Sequence, residues 1–345
     1  MGQRVLRFTQ YGLEGDTHGT AVEADTRLAA NVVLPESDRE VVMPSAGVGQ
    51  RVTNIIDNAY VRRILAEGIT LETPAESGLY YQILPLLFSL GITGNVSPTE
   101  QTASEGDYLW EFDANLSSAE DVDSMTLEFG DSTDADQGYE VAYCMASSIE
   151  ISGNADTGEV TSNVTLFGDE IAVTQMTSGL SYPSITGISG GLARLYVDDT
   201  WAGIGSSEIS NALLDWTLTI DTGVHPKLRG NANQKIADHG HDETSISLNL
   251  GLERGATNLD TEEDYYRSST VTARFVRLEI DSGIAIGSGS NHKLTVDIAG
   301  TWTSWQSLGR DQDGNSIEVA MLSGGYDTTG SAAFGIDVTT DVSAI

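Results

Sequence analysis

The segment ADHGHDE, residues 237–243, sets two imidazoles two positions apart with carboxylates on either side. Such donors suit a transition-metal ion, because residues i and i+2 of a strand share a face. His239 and His241 have no third, distant ligand visible in the sequence, so the segment reads as a solvated turn and no metal site or cofactor is assigned. Asp311, Asp313 and Asn315 resemble the start of a calcium loop, but Gly314 comes too early and the twelfth position is Leu322, which cannot ligate. Asp313-Gly314 fits a hairpin turn better. The glycine-rich SGIAIGSGSNHK, residues 282–293, lacks the Gly-Lys-Ser/Thr ending of a phosphate loop and reads as another hairpin loop.

Hydrolytic chemistry fares no better. With 51 Asp plus Glu, some pair always falls at a catalytic separation, so no pair is informative. No HExxH segment and no cysteine with a histidine partner is present. Cys144, the single cysteine, excludes an internal disulfide framework and reads as a small apolar packing residue. Trp110, Trp201, Trp216, Trp302 and Trp305 are either a sugar-binding platform or core. The expectation is a protein that is not an enzyme.

Composition narrows the partners. Against 17 Lys plus Arg the acids leave a formal charge of -34, and the lysines are three, Lys227, Lys235 and Lys293. Nucleic-acid binders gain affinity by releasing counterions from clustered cations, which this chain lacks. The balance fits work at high ionic strength, where self-repulsion is screened, or simply an acidic mesophilic protein. The N-terminal MGQRVLRFTQYG has no apolar segment typical of a secretion signal. Ile83–Leu90, the longest apolar run, is too short to cross a bilayer and contains Pro85, so no membrane partner is expected.

The elements that must position these residues are strands. Alternation is clean in SSIEISGNADTGEVTSNVTLFGDEI, residues 147–171: Ile149 and Ile151 point one way, Ser148, Glu150 and Ser152 the other, and the return strand repeats this with Val160, Val164 and Leu166. The same grammar returns in LLDWTLTIDTG, SISLNLGLE, FVRLEIDSG and KLTVDIAG. Helix is confined to PAESGLYYQILPLLFSLG, where Pro74 can open the first turn and Leu79, Ile83, Leu86, Leu87 and Leu90 form a stripe; Gly78 and Pro85 predict a short or kinked helix. Order suggests duplication: Glu72 to Glu253 and Tyr80 to Tyr265 are 181 and 185 apart, Ile151 to Ile280 and Gly168 to Gly300 are 129 and 132 apart. This divides the chain into domains at 1–185 and 186–345, with an acidic insertion at about 91–143 in the first. WEFDANL and SMTLEFG predict at least two strands inside that insertion.

YGLEGDTHGTAVEADTRL resembles the G-x-E-x-x-x-G-T-A opening of major tail tube proteins of long-tailed (siphovirus-like) double-stranded DNA viruses. YEVAYCMASSIEISGNADTGEVTSNVTLFGDEI resembles that family's central strand, Gly-rich turn and returning strand, with Tyr143 where the family usually has Gly before the Cys. LYVDDTWAGIGSSEISNALLDWTLTIDTGVHP is similar to the start of its second half.

The resemblance implies an all-β fold of tandem β-sandwich or barrel tail-tube units whose strands join neighbours into a ring-shaped β-barrel. It implies a structural virion protein, made in the host cytoplasm, that self-assembles into stacked rings forming the tail tube. Trimeric, pseudo-hexameric rings are favoured over hexamers, with tape measure, tail terminator and baseplate or tail-tip proteins as partners and DNA as passing cargo that is not bound. Glu150, Glu159, Glu279 and Asp297 are the candidate lumen-facing acids, an outer placement being the alternative. Rival readings are a secreted or cell-surface β-sandwich protein of a halophile, a polysaccharide-acting enzyme on a β-scaffold, and a tail terminator.

Overall fold

The computed structural model describes residues 8–345 except 16, 44–58, 74–77, 115–120, 131–137, 231–233, 256–258 and 313. Within them the chain is all-β with two short α-helices. The first part comprises β1 (Phe8–Leu13), β2 (Thr26–Leu28), β3 (Asn31–Val33), β4 (Arg39–Val42), β5 (Tyr60–Ile64), β6 (Ala66–Glu72), α1 (Leu84–Ser89), β7 (Thr99–Glu100), β8 (Tyr108–Asp113), β9 (Met125–Gly130), β10 (Gly138–Asn154), β11 (Val160–Gly168) and β12 (Ile171–Thr174). The second comprises β13 (Ala193–Asp198), β14 (Leu213–Asp221), β15 (Val224–Lys227), β16 (Asp238–His241), β17 (Ser245–Glu253), α2 (Leu259–Arg267), β18 (Arg274–Ala285), β19 (Asn291–Gln312), β20 (Asn315–Gly324) and β21 (Phe334–Thr340).

Strand faces follow the alternation read from sequence. Ile149 and Ile151 of β10 and Val160, Val164 and Leu166 of β11 are buried, whereas Glu150 and Asn163 between them are exposed. Trp216, Leu218 and Ile220 of β14 and Ile246, Leu248 and Leu250 of β17 face the same core. Strands β10 and β19, at 17 and 22 residues, are too long for one sheet and each serves two. Both carry a bulge near the crossover, at Ala146/Ser148 and at Trp302/Ser304, where the extra residue bends the strand.

Three antiparallel sheets result. One outer sheet runs β2-β1-β9-β10-β12 and uses the N-terminal half of β10. The central sheet runs β3-β6-β11-β10-β14-β17-β20-β19 and uses the C-terminal halves of β10 and β19. The other outer sheet runs β13-β18-β19-β21-β8-β7. Hairpins β4–β5 and β15–β16 stand apart from all three.

The expected closure of strands into a barrel is overturned. These 17 strands are joined by 16 pairings, which link them in a branched path without a circuit, so every sheet is open. Closure fails for a physical reason: the central sheet ends on β3 at one side and on the C-terminal half of β19 at the other, and neither margin has a further strand among the described residues.

The connectivity repeats. Strands β1, β3, β6, β9, β10, β11 and β12 are joined to one another as β13, β14, β17, β18, β19, β20 and β21 are, and each set includes one detached hairpin and one helix. Ala146 and Leu166 stand where Trp302 and Leu322 stand, each 156 residues on and beside the same bulge. The sequence correspondence of Glu72 with Glu253 fell on equivalent strands two residues out, since register pairs Leu71 with Leu250. That of Ile151 with Ile280 fell on non-equivalent strands, β10 and β18, because alternating runs match one another at many offsets.

Helix α1 begins at Leu84 after a 3₁₀ turn at Tyr81–Ile83, with Pro85 in its first turn, where a missing N–H costs nothing; Pro74 lies outside the described residues. Its residues are buried all round rather than along a stripe. Helix α2 was not read from sequence, although Asp260 and Glu262 in its first turn and Arg267 in its last suit the helix dipole.

Candidate functional site

The candidate interaction surface is the outward face of the central sheet and its two margins. Register aligns Glu72, Asn163, Glu150, Thr219, Ser247 and Ser323 in one row across six strands. The adjacent row is Thr161, Ser152, Thr217, Asn249, Met321 and Ser304, with Ser152 and Thr217 hydroxyls 3.1 Å apart. Neither row contains a cation. These two rows, hydroxyl-rich with scattered carboxylates, offer phosphate no charged partner, and in the row beyond them Arg310 is paired with Asp215.

Inside the chain, β10 and β14 join the two units from Ser148–Asp221 to Asn154–Asp215. Gly153 is required there: a Cβ would stand 2.4 Å from Cε2 of Trp216, its partner across the junction. At the free margins, Val33 of β3 and Leu308 of β19 are 50% and 71% exposed, as are a few apolar residues of other strands such as Val41 and Val173.

The four sequence-selected acids do not share a surface. Glu150 lies exposed on the central sheet, and Glu159 is exposed in the turn that precedes β11. Glu279 and Asp297 belong to the second outer sheet, where Glu279 is 3.4 Å from Lys293 and Asp297 takes a two-pronged pair from Arg277 at 2.7 and 2.6 Å. Beside them Asp337 is pushed up to about 6 by burial and by Asp297, Glu111 and Asp113, with Arg277 opposing.

Other acids are structural. Glu14, of the G-x-E segment, is buried and accepts hydrogen bonds from the Gly19 N–H (2.6 Å), Ser124 Oγ (2.6 Å), Thr126 Oγ1 (2.9 Å) and the Tyr143 N–H (2.7 Å). Tyr143 has φ +61°, a left-handed conformation that favours glycine, at a bulge between Val141 and Cys144. The bond that the Tyr143 N–H donates to Glu14 holds that strained turn. In the glycine-rich loop, backbone N–H groups of Ser288 and Ser290 donate to Glu105 and Asp107 at 2.7 and 2.8 Å, so its donors serve carboxylates of the insertion. Burial pushes the Asp107 carboxyl up, but bonds from Ser290 and Thr102 outweigh it and hold it well below the ordinary range. The insertion also supplies β8 to the second unit's outer sheet, whereas β9, read as part of it, belongs to the repeated framework.

Catalytic readings gain little. Trp110, Trp216, Trp302 and Trp305 are buried, the last two with their indole N–H groups on Glu262 (3.0 Å) and Glu318 (2.8 Å), so they form no open platform. A groove of about 620 Å³ holds Glu208 and Asp281 but no aromatic side chain. GISGG, residues 187–191, spells a nucleophile-elbow pattern, yet Ser189 precedes a one-turn 3₁₀ helix at Gly190–Leu192 rather than joining a strand to an α-helix.

The histidine segment is a strand, not a turn. His239 and His241 lie on β16, and His239 meets His18 edge-on with ring centroids 5.2 Å apart. His18 Nε2 is 3.7 Å from Asp121. Sequence could not supply these partners, which are more than 100 residues away and have no motif spacing.

No protein-family model matches the sequence. No curated protein matches it either.

Proposed function

We propose that the chain is a structural virion protein whose copies associate edge to edge into rings that stack as a hollow viral tail tube. The observation that carries this reading is the equivalence of the free margins to the internal β10–β14 junction. The C-terminal half of β19 holds the position of β10, and β3 holds that of β14. A unit that already docks onto its twin within the chain can dock onto another copy in the same way. Such a contact is heterologous, so repetition either closes or propagates. Two units per chain favour three chains in a six-unit ring. Transfer of the internal register, where Ser148 faces Asp221, sets Ser304 opposite Ser37 of the next copy.

The hydroxylated, cation-free rows are the face past which DNA travels unbound, with Glu150 among them. The detached hairpins β4–β5 and β15–β16 are the candidates for ring-to-ring contact. Partners then include tape measure, terminator and tail-tip proteins.

Negative-stain microscopy of the purified chain across a salt series tests this. Hollow tubes with a regular axial repeat are expected, favoured by salt because it screens repulsion between like-charged copies. Isolated monomers at every salt concentration sink the proposal. The pair Ser37→Cys and Ser304→Cys reads the register: oxidation should link copies into a ladder ending at the ring number, while the buried Cys144 stays out of the reaction.

A further inference from the structure

We infer that His18, Asp121 and His239 form a binding site for one divalent transition-metal ion, with Zn²⁺ the best match, that staples the second unit's hairpin to the first unit. One donor atom from each of the three residues lies within 4.8 Å of the other two. They converge from three separate segments: the loop after β1, the stretch before β9, and β16. Two imidazoles and a carboxylate are a borderline donor set that zinc accepts and that calcium or magnesium does not prefer.

A second feature distinguishes this cluster from a chance meeting of polar side chains. Ligating histidines normally have their other ring nitrogen fixed by a hydrogen bond. Here His18 Nδ1 is 2.8 Å from Ser124 Oγ, and His239 Nδ1 is 3.3 Å from the Tyr143 hydroxyl. Both bonds leave Nε2 of the ring for an ion.

A tetrahedral zinc with bonds of about 2.0–2.1 Å needs donors roughly 3.4 Å apart, so the cluster must close by about an ångström. Asp121, with its side chain 74% exposed, is free to swing inward. The gain is local: the cluster borders the small satellite core of Val122, Tyr143, Met145, Phe167 and Val224, which is the apolar contact between hairpin β15–β16 and the first unit. A metal there adds an anchor where few apolar side chains meet. This inference rests on the geometry of the single chain and is independent of the tube.

The test is calorimetric titration of Zn²⁺ into the chelator-stripped full-length chain, with Co²⁺ absorption as a second readout. Saturable binding of one ion per chain and the visible bands of four-coordinate Co²⁺ are expected. His18→Gln and Asp121→Asn should each weaken binding at least tenfold, and Asp121→Asn, at an exposed position, leaves the fold intact by circular dichroism. Ser124→Ala, which removes no ligand, should weaken it by about ten- to a hundredfold, as loss of an outer partner does. His225→Gln, on neighbouring β15, should change nothing. Absence of saturable binding overturns the inference, and so does binding of unchanged affinity in Asp121→Asn and His18→Gln, which would place any ion on the His239–His241 pair alone.

Discussion

The C-terminal halves of β10 and β19 occupy the same place in the two units, yet among the described residues β10 has a strand on both sides and β19 has one. At the filled position the neighbours are complementary down to Gly153, whose missing side chain makes room for Trp216. At the vacant position Leu308 is exposed, in a stretch of β19 where the register with β20 shifts between Gln306 and Arg310. An exposed edge of that kind is a liability unless association uses it. One chain thus contains both the interface and an unfilled copy of it.

The largest expected effect comes from breaking the vacant side. Val33→Asp with Leu308→Asp puts like charges on both margins and should abolish tube formation, while the unfolding free energy of the dispersed chain stays within the range of a surface change, about 0.5 kcal/mol. Light scattering and calorimetry on one sample check both halves of that statement. Tubes of normal yield would mean that β3 and β19 are not the contact.

Glu14→Ala should come next. It leaves the Tyr143 N–H and its other donors unsatisfied in a buried turn, so a loss of about 3 kcal/mol in urea denaturation is expected. At the end of β13, the equivalent of β1, the buried Asp198 accepts from the Gly205 and Ser206 N–H groups instead, so Glu14→Ala tests the first unit's version alone. Glu14→Gln, which keeps one acceptor oxygen for the Tyr143 N–H, should lose less. Near-equal losses in the two variants would deny Glu14 its role.

On the filled side, Gly153→Ala forces Trp216 away from the β10–β14 junction and should cost about 1–3 kcal/mol, the range for overpacking a tight core. Hydrogen exchange should show protection falling along β14 first. An unchanged exchange pattern would mean that the junction adapts freely, weakening the comparison with the free margin.

The smallest effect belongs to the second outer sheet. The folded pKa of Asp337, at about 6, lies above the ordinary carboxylate value, so the folded chain holds the extra proton and this group's contribution to stability falls as pH rises from about 4 to 6. Asp337→Asn should therefore stabilise the chain near neutrality by about 1 kcal/mol, after allowance for solvent screening, and by nothing near pH 4. Equal gains at both pH values would point to packing rather than charge.

Much of this was legible in the residues. The faces of β10, β11, β14 and β17 follow from period-2 alternation, which reports one bit per residue and needs no partner. Glu150 was placed on an open face for that reason. Glu279 and Asp297 alternate just as well, but a strand's pattern does not say which sheet it enters, and theirs is the outer one. His239 showed its donor chemistry while its partners, His18 and Asp121, stayed hidden in sequence distance.

Sequence by itself settled that the chain is strand-rich, acidic and short of lysine, since these depend on composition and on local alternation. Tertiary structure alone decided that the sheets stay open, that two overlong strands bridge them, and that β14 fills one margin while β19 keeps the other bare. Pairing between strands is a long-range choice made by register and by side chains meeting across the sheet, and no local pattern encodes it.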